Sequence, residues 1–460
     1  MSGLDLGQMI AHGFTSRNAT ETLTNKTLTA PIINGARSGT AWDIADRASI
    51  QPSLDLDFAN QRYRVLDGAV GLREIALADI LTYTGSGRTY TGARGTLIAQ
   101  SANAPRITFD PVTGAGLGLS VWGARTNLIT YSEQFGNAAW AKYRCTVTEN
   151  LITAPDGTMT ADEMVESSES STVHYLSFAV SALSGATTLR IWAKSSTRSL
   201  GLLAVGGTTQ RAAFFNLSAG TSHVEQVGGI SPPDLSQSIE AYGGGWYRCS
   251  MTWTADGQTS VRITTDGGLF NGNSAGSASM HIWGAQLEAA SSASPYIPTT
   301  TAAVTAPADV ANITGGNFSK WINGTEGTLV CVFRSGPTAS ATGGYISLAG
   351  SASTESIGIR QQSGTLRGVV QVAGADQASL TGPSVVTGNR YAVALSYKAN
   401  EISMAANGGA VVSDTSATLP TLTQMLVGTL PDGTGHANST LDRVLYFPRA
   451  LPSNLQALSA

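Results

Sequence analysis

The sequence predicts an all-β protein, in which a polar N-terminal segment is followed by two antiparallel β-sandwiches of jelly-roll type. Helix-period patterns are confined to Leu4–His12 and to Pro452–Leu458, where Leu455 and Leu458 follow a Pro-Ser start. Everything between reads as short β-prone runs separated by turn residues. Composition agrees: 52 of the 460 residues are Gly and only 13% are charged, against about 25% charged in an average soluble chain. With 42% hydrophobic residues and eight Trp, there is too much apolar material for a chain that never collapses.

Four stretches divide on composition. Residues 1–50 are polar and poor in aromatics, which suits an oligomerisation segment in which partner chains supply burial. Residues 51–125 hold short strands around the turn-rich stretch 84–95 and read as a small β-rich connector. Residues 126–300 carry half of the aromatics and read as a jelly roll. A Thr/Ala/Pro-rich joint, residues 298–309, reads as an extended connector that a protease should cut, releasing a second sandwich over 310–460.

Alternation identifies individual strands. Along Leu189 to Lys194 the residues Leu189, Ile191 and Ala193 share one face, and Arg190, Trp192 and Lys194 share the other. Along Trp246 to Trp253, the set Tyr247, Cys249, Met251 and Trp253 forms the apolar face, opposite Trp246, Arg248, Ser250 and Thr252. Val261 and Ile263 repeat the pattern before Asp266-Gly267-Gly268. In the last block, Gly327–Phe333, Tyr345–Leu348, Ile357–Ile359, Tyr391–Leu395 and Val444–Phe447 are β-prone, with turn signals at Ser363-Gly364, Asn407-Gly408-Gly409 and Asp432-Gly433.

Charge and cysteine usage exclude several functions. A net charge of −4 leaves no broad basic surface for nucleic acid or anionic membranes, so a neutral polymer is the better partner. Neither a basic-then-apolar leader nor a long apolar run is present, so synthesis in a bacterial cytoplasm without membrane insertion is expected. Cys145, Cys249 and Cys331 lie far apart and read as buried small apolar residues. The histidines, His12, His174, His223, His281 and His436, stand singly, and no nucleophile, phosphate or metal motif occurs, so no catalytic residue, metal or cofactor is assigned. Asp266-Gly267-Gly268 and Asp432-Gly433 suit Ca²⁺-ligating loops and hairpin turns equally well. The acidic group Asp162, Glu163, Glu166 and Glu169 is expected in a solvated loop.

Three phrases resemble segments of tailed-phage fibre, tailspike and head-spike proteins and of gene-transfer-agent spikes. Glu21 to Pro31 resembles an attachment-shaft phrase. Pro52 to Phe58, then Ala124 to Phe135 with Asn137-Ala138-Ala139-Trp140, resembles the opening of a carbohydrate-binding-like jelly roll, whose usual end is matched by Trp283 to Glu288 and Ser294 to Thr300. Asn407-Gly408 and Arg443 to Leu451 resemble a concanavalin- or laminin-G-like sandwich. The resemblance implies attachment to capsid or tail proteins through the N-terminus, sugar-binding folds facing outward, and a homo-oligomer, commonly a trimer.

The function expected on these grounds is a virion spike or tail-fibre adhesin for host surface polysaccharide, with a depolymerase and a purely structural decoration protein as rivals. The absence of a long array of repeated strands lowers the enzyme reading. Sugar contacts are expected from aromatics on polar strand faces, where a ring stacks on the sugar while neighbouring donors take its hydroxyls. The candidates are Trp192 with Arg190 and Lys194, and Trp246 with Arg248. The alternative is that either ring packs beneath a loop or a neighbouring subunit, while Trp253, Tyr247 and Trp283 are expected in the core.

Overall fold

A computed structural model describes residues 51–66, 71–169, 172–224, 234–265, 278–336 and 342–460. The N-terminal segment and the turn Asp266-Gly267-Gly268 lie outside the described residues. The rest is all-β, in antiparallel sheets that pack as sandwiches.

Residues 51–125 do not form a separate connector, because most of their strands complete the sheets of the C-terminal sandwich. Ser439–Phe447 pairs along one edge with Gly116–Val121 over its first residues and with Leu54–Asp57 over its last, extending that sheet to ten strands. The facing seven-stranded sheet takes in Thr82–Thr84, which pairs with Val310–Thr314. The reason is burial: Leu54, Leu56, Phe58, Leu119 and Val121 join Leu329, Cys331, Val444 and Tyr446 in one core. A segment too small to enclose its own core thereby shares one. Asp55, buried at the centre of its strand, accepts from both Arg64 and Arg443, which ties the added strand to the sheet by charge as well.

The expected hairpins are present. Ser363-Gly364 and Asn407-Gly408 both take positive φ at two successive residues, the conformation that matches the twist of the flanking strands. The short helix Leu455–Leu458 lays Leu455 and Leu458 over the outer face of the sheet, against Val330, Ala394 and Phe447.

The middle sandwich has two six-stranded sheets. One runs in the order Trp140–Tyr143, Tyr175–Ala179, Gln258–Thr264, Leu200–Gly206, Arg211–Asn216, Thr221–Val224. The other runs Cys145–Ile152, Ala161–Glu166, Ser279–Glu288, Ser184–Ser195, Trp246–Asp256, Ser236–Ala241. Between them lie Trp140, Leu176, Phe178 and Ile263 from the first sheet and Leu189, Ile191, Met251 and Trp253 from the second. The three cysteines are free and buried, and burial pushes the Cys145 thiol up to about 11, so it packs as a neutral group.

The joint between the sandwiches is pinned along its length. Val304–Ala306 pairs with Arg125–Asn127, and Asp309 is fully buried. Its carboxylate takes hydrogen bonds from Arg106 and from the Trp122 backbone N–H at 2.7 Å, and pairs with Arg88. Arg88 also donates to Pro307 O at 2.7 Å, while Asp309 N donates to Trp122 O at 2.8 Å. An extended connector is present, but it is not a free one. A fragment of residues 310–460 alone should therefore be insoluble or lack cooperative unfolding, whereas residues 51–460 should melt cooperatively. Calorimetry of the two chains checks this.

Candidate functional site

Ser184–Ser195 is a central strand, paired with Trp246–Asp256 on one side and with Ser279–Glu288 on the other. Leu189, Ile191 and Ala193 enter the inter-sheet core as alternation requires, and Trp192 points to the opposite face. That face is not solvent. Trp192 is 0% exposed and Trp246 5%, in a second core with Leu97, Tyr242, Trp283 and Tyr296. The Tyr242, Trp283 and Tyr296 rings pack edge-on or nearly so against Trp192 at 5.3 to 5.8 Å.

The cover comes from the hairpin Thr89–Thr91 with Leu97–Ala99 and from the loop after Ile152. Leu97 N donates to Pro155 O at 2.9 Å, Thr89 N to Tyr296 O at 2.8 Å, and the Trp246 indole to Thr153 O at 3.2 Å. Glycine makes the fit possible at one point. The register beside Trp192 shifts at Gly284, whose φ of 67° is left-handed and where a Cβ would stand 3.0 Å from the indole.

The predicted sugar contacts are thus corrected: Trp192 and Trp246 are core residues, and their polar neighbours are occupied within the fold. Arg190 donates to Ala293 O, Ser294 O and Ser250 Oγ. Arg248 pairs with Glu240 and lies over the Tyr242 ring. Lys194 is half-buried, beside Gly245. Trp253 and Trp283 are buried, and Tyr247 is partly buried against the inter-sheet core.

Of the acidic group, only Glu169 lies in an exposed loop. Asp162, Glu163 and Glu166 lie on the strand Ala161–Glu166. Asp162 accepts from Phe135 N and Asn150 N, Glu163 accepts from Ser279 Oγ, Glu166 pairs with Arg198, and Glu169 pairs with Arg144. Asp432 caps its own turn through Thr434 N, and no cluster of metal-ligating side chains occurs among the described residues. No helix among them is long and apolar enough to cross a membrane.

An exposed aromatic row does occur, on the outer face of the other sheet. Trp140 and Leu176 point inward, so Tyr143 and Tyr175 point outward, and their strands place them directly opposite each other. Their rings stack at 4.8 Å with an 18° tilt. Arg262, on the next strand, places its guanidinium 4.3 Å from the Tyr175 ring centre, and Arg144 lies 4.8 Å from that of Tyr143. Arg144 has φ of 54°, at the point where the chain leaves one sheet for the other. It is held by Glu169 and Thr172.

The rings stack on one another and carry the Arg144 and Arg262 guanidiniums beside them, so the row offers its rim rather than a flat platform. Tyr143 is 40% exposed. Neither phenol hydroxyl has a hydrogen-bond partner among the described residues, and Arg262 has no ion pair there. The row can therefore donate hydrogen bonds to an external acceptor from several aligned groups. Sequence reasoning passed over it because Tyr143 and Tyr175 are far apart along the chain, although the outward parity of each could be read locally.

No protein-family model matches the sequence, and no curated protein matches it. Among solved structures, the chain is similar to the CBM40 of the Ruminococcus gnavus IT-sialidase bound to α2,3-sialyllactose, at 18% identity over 30% of this chain and 84% of that one, with a TM-score of 0.25. It is similar to domain 4 of AbnA, an extracellular arabinanase from Geobacillus stearothermophilus in complex with arabinotriose, at 12% identity over 33% and 73%, with a TM-score of 0.27. A third likeness is to botulinum neurotoxin type C, described as interacting with two ganglioside molecules, at 10% identity over 31% of this chain and 37% of that one, with a TM-score of 0.26. These neighbours carry glycan-binding domains. Likeness at this level leaves the site to be read from this chain's own residues.

Two measurements test the geometry. Replacing Trp192 with Ala should destabilise the protein by about 3–5 kcal/mol, the cost of truncating a buried aromatic, in denaturant titrations. Burial raises the Asp162 carboxyl to about 6, against the pull of the Asn150 and Phe135 backbone N–H groups. A carboxyl raised in the folded state binds its proton more tightly there than when unfolded. Its contribution to stability is therefore full below the ordinary Asp value of about 3.9 and is lost as pH rises through about 6. Wild type should lose stability relative to Asp162→Asn across that window, as followed by chemical denaturation at stepped pH.

Proposed function

We propose that this chain is a receptor-binding spike or fibre subunit of a phage-like particle, an adhesin that holds a bacterial surface polysaccharide without cleaving it. The observation that carries the proposal is the Tyr143–Tyr175 row: hydroxyl and guanidinium donors without partners among the described residues, aligned on the outer side of a sheet and reaching the surface at its Tyr143 edge. Sugars present dense hydroxyl acceptors, and a rigid strand-borne row of donors meets them without ordering a loop first. The phrases over residues 52–310 that resemble phage spike proteins support the same reading. In it, the N-terminal segment attaches to the particle and several copies, as in a trimer, supply avidity to a weak single site.

Replacing Tyr143 with Ala should weaken binding to a host capsule or O-antigen polysaccharide by about tenfold while shifting the melting temperature by no more than about 2 °C, because the residue is largely at the surface. Glycan-array and calorimetric titration would measure the first, differential scanning fluorimetry the second. Retained affinity in the variant would remove the row from the site, and shortening of the polymer on incubation would replace the adhesin with a depolymerase.

A further inference from the structure

On the outer face of the tyrosine sheet, one guanidinium, that of Arg262, has no carboxylate partner among the described residues. We propose that the row selects a carboxylate-bearing sugar, a uronic or sialic acid residue within the bound polysaccharide, and that Arg262 is the selecting group. This rests on the glycan-binding reading and narrows its ligand class.

Other arginines of the middle sandwich are matched. Arg125 faces Glu288, Arg144 pairs with Glu169, Arg198 with Glu166, Arg211 with Asp234 and Arg248 with Glu240. Arg190 spends its N–H groups on two carbonyls and a hydroxyl. Arg262 differs: among the described residues it has neither a carboxylate nor a hydrogen-bond partner, and its contact is the Tyr175 ring.

Its strand neighbours, Ser177 and Leu203, bring no charge, and Glu169 is already engaged by Arg144. The Nε is buried, and the two terminal nitrogens have no hydrogen-bond partner among the described residues. The ring holds the guanidinium plane by cation–π attraction. A held guanidinium presents paired N–H groups at the spacing of a carboxylate's two oxygens, and charge-assisted bonds of this kind are roughly twice as strong as neutral ones. The phenol hydroxyls of Tyr175 and Tyr143 continue the row of donors away from the cation, where sugar hydroxyls would lie. Net charge of the whole chain is −4 and favours a neutral partner on average. A single unmatched guanidinium on an exposed face reverses that preference locally, within a Debye length of about 8 Å.

The test uses the full chain, with oligogalacturonate and linear polysialic acid as probes and their carboxyl-reduced counterparts as neutral controls, titrated by calorimetry. Wild type should bind at least one acidic probe about tenfold more tightly than its reduced form, a difference of about 1.4 kcal/mol. Arg262→Gln should abolish that preference, bringing the affinities for the acidic and reduced forms within about twofold of each other, and Arg262→Lys should restore part of it. Unchanged melting temperatures would separate these effects from misfolding. If wild type binds acidic and reduced forms equally, or if Arg262→Gln keeps the preference, the carboxylate inference is wrong and the glycan-binding reading stands. If wild type binds neither these probes nor any member of a broad glycan panel, the glycan-binding reading itself falls.

Discussion

The carboxylate of Asp309 is the contact on which the arrangement of the whole chain depends. It sits with no solvent exposure between Arg88 and Arg106 and takes the Trp122 backbone N–H as well. These partners come from the hairpin region, from the segment before Gly116–Val121, and from the turn that leads into the middle sandwich. A buried ion cluster of this kind is weak evidence for net stability, since desolvation opposes the attraction. Removing one member leaves an uncompensated buried charge, which typically costs about 3–5 kcal/mol. The geometry is thereby specified even where the energy gain is small.

Several consequences follow from that joint. With Arg88 anchored at Pro307 O and Gly123 O, the hairpin that begins at Thr89 is held over the outer face of the tryptophan-bearing sheet. Thr91 and Tyr242 share a hydrogen bond of 2.6 Å beneath it. The middle sandwich therefore has three apolar layers on one side: the inter-sheet core, the tryptophan sheet, and a second core under the hairpin. Aromatics that alternation places opposite the main core are recruited into this second one.

Among the described residues the other sheet has no such cover along its Tyr143 edge, and that difference decides where an aromatic row can meet a ligand. Tyr143 lies on an edge strand beside the chain reversal at Arg144, so its hydroxyl reaches solvent. Tyr175 and Arg262 follow on the next two strands inward. Rigid strands fix their spacing, and stacking fixes their tilt, so little side-chain entropy remains to be lost on binding. The unmatched guanidinium gives this face a polarity that the net charge of the chain conceals.

By itself the sequence determined the fold class and, where alternation is clear, the position of a strand and the facing of its side chains. Period-two alternation is a local property of a pleated strand, so Leu189 and Ile191 were legible as core, and so were Cys249, Met251 and Trp253. Turn chemistry is also local, which is why Ser363-Gly364 and Asn407-Gly408 could be placed. Tertiary structure alone decided what lies against each face. Nothing near Trp192 announces that Leu97, about a hundred positions earlier, will close over it, and nothing near Leu54 announces that Tyr446 will be its strand partner. Alternation gives the direction in which a side chain points; only the packing of distant segments decides whether that direction leads to water. For Trp192 it leads to a second core, and for Tyr143 it leads to the surface.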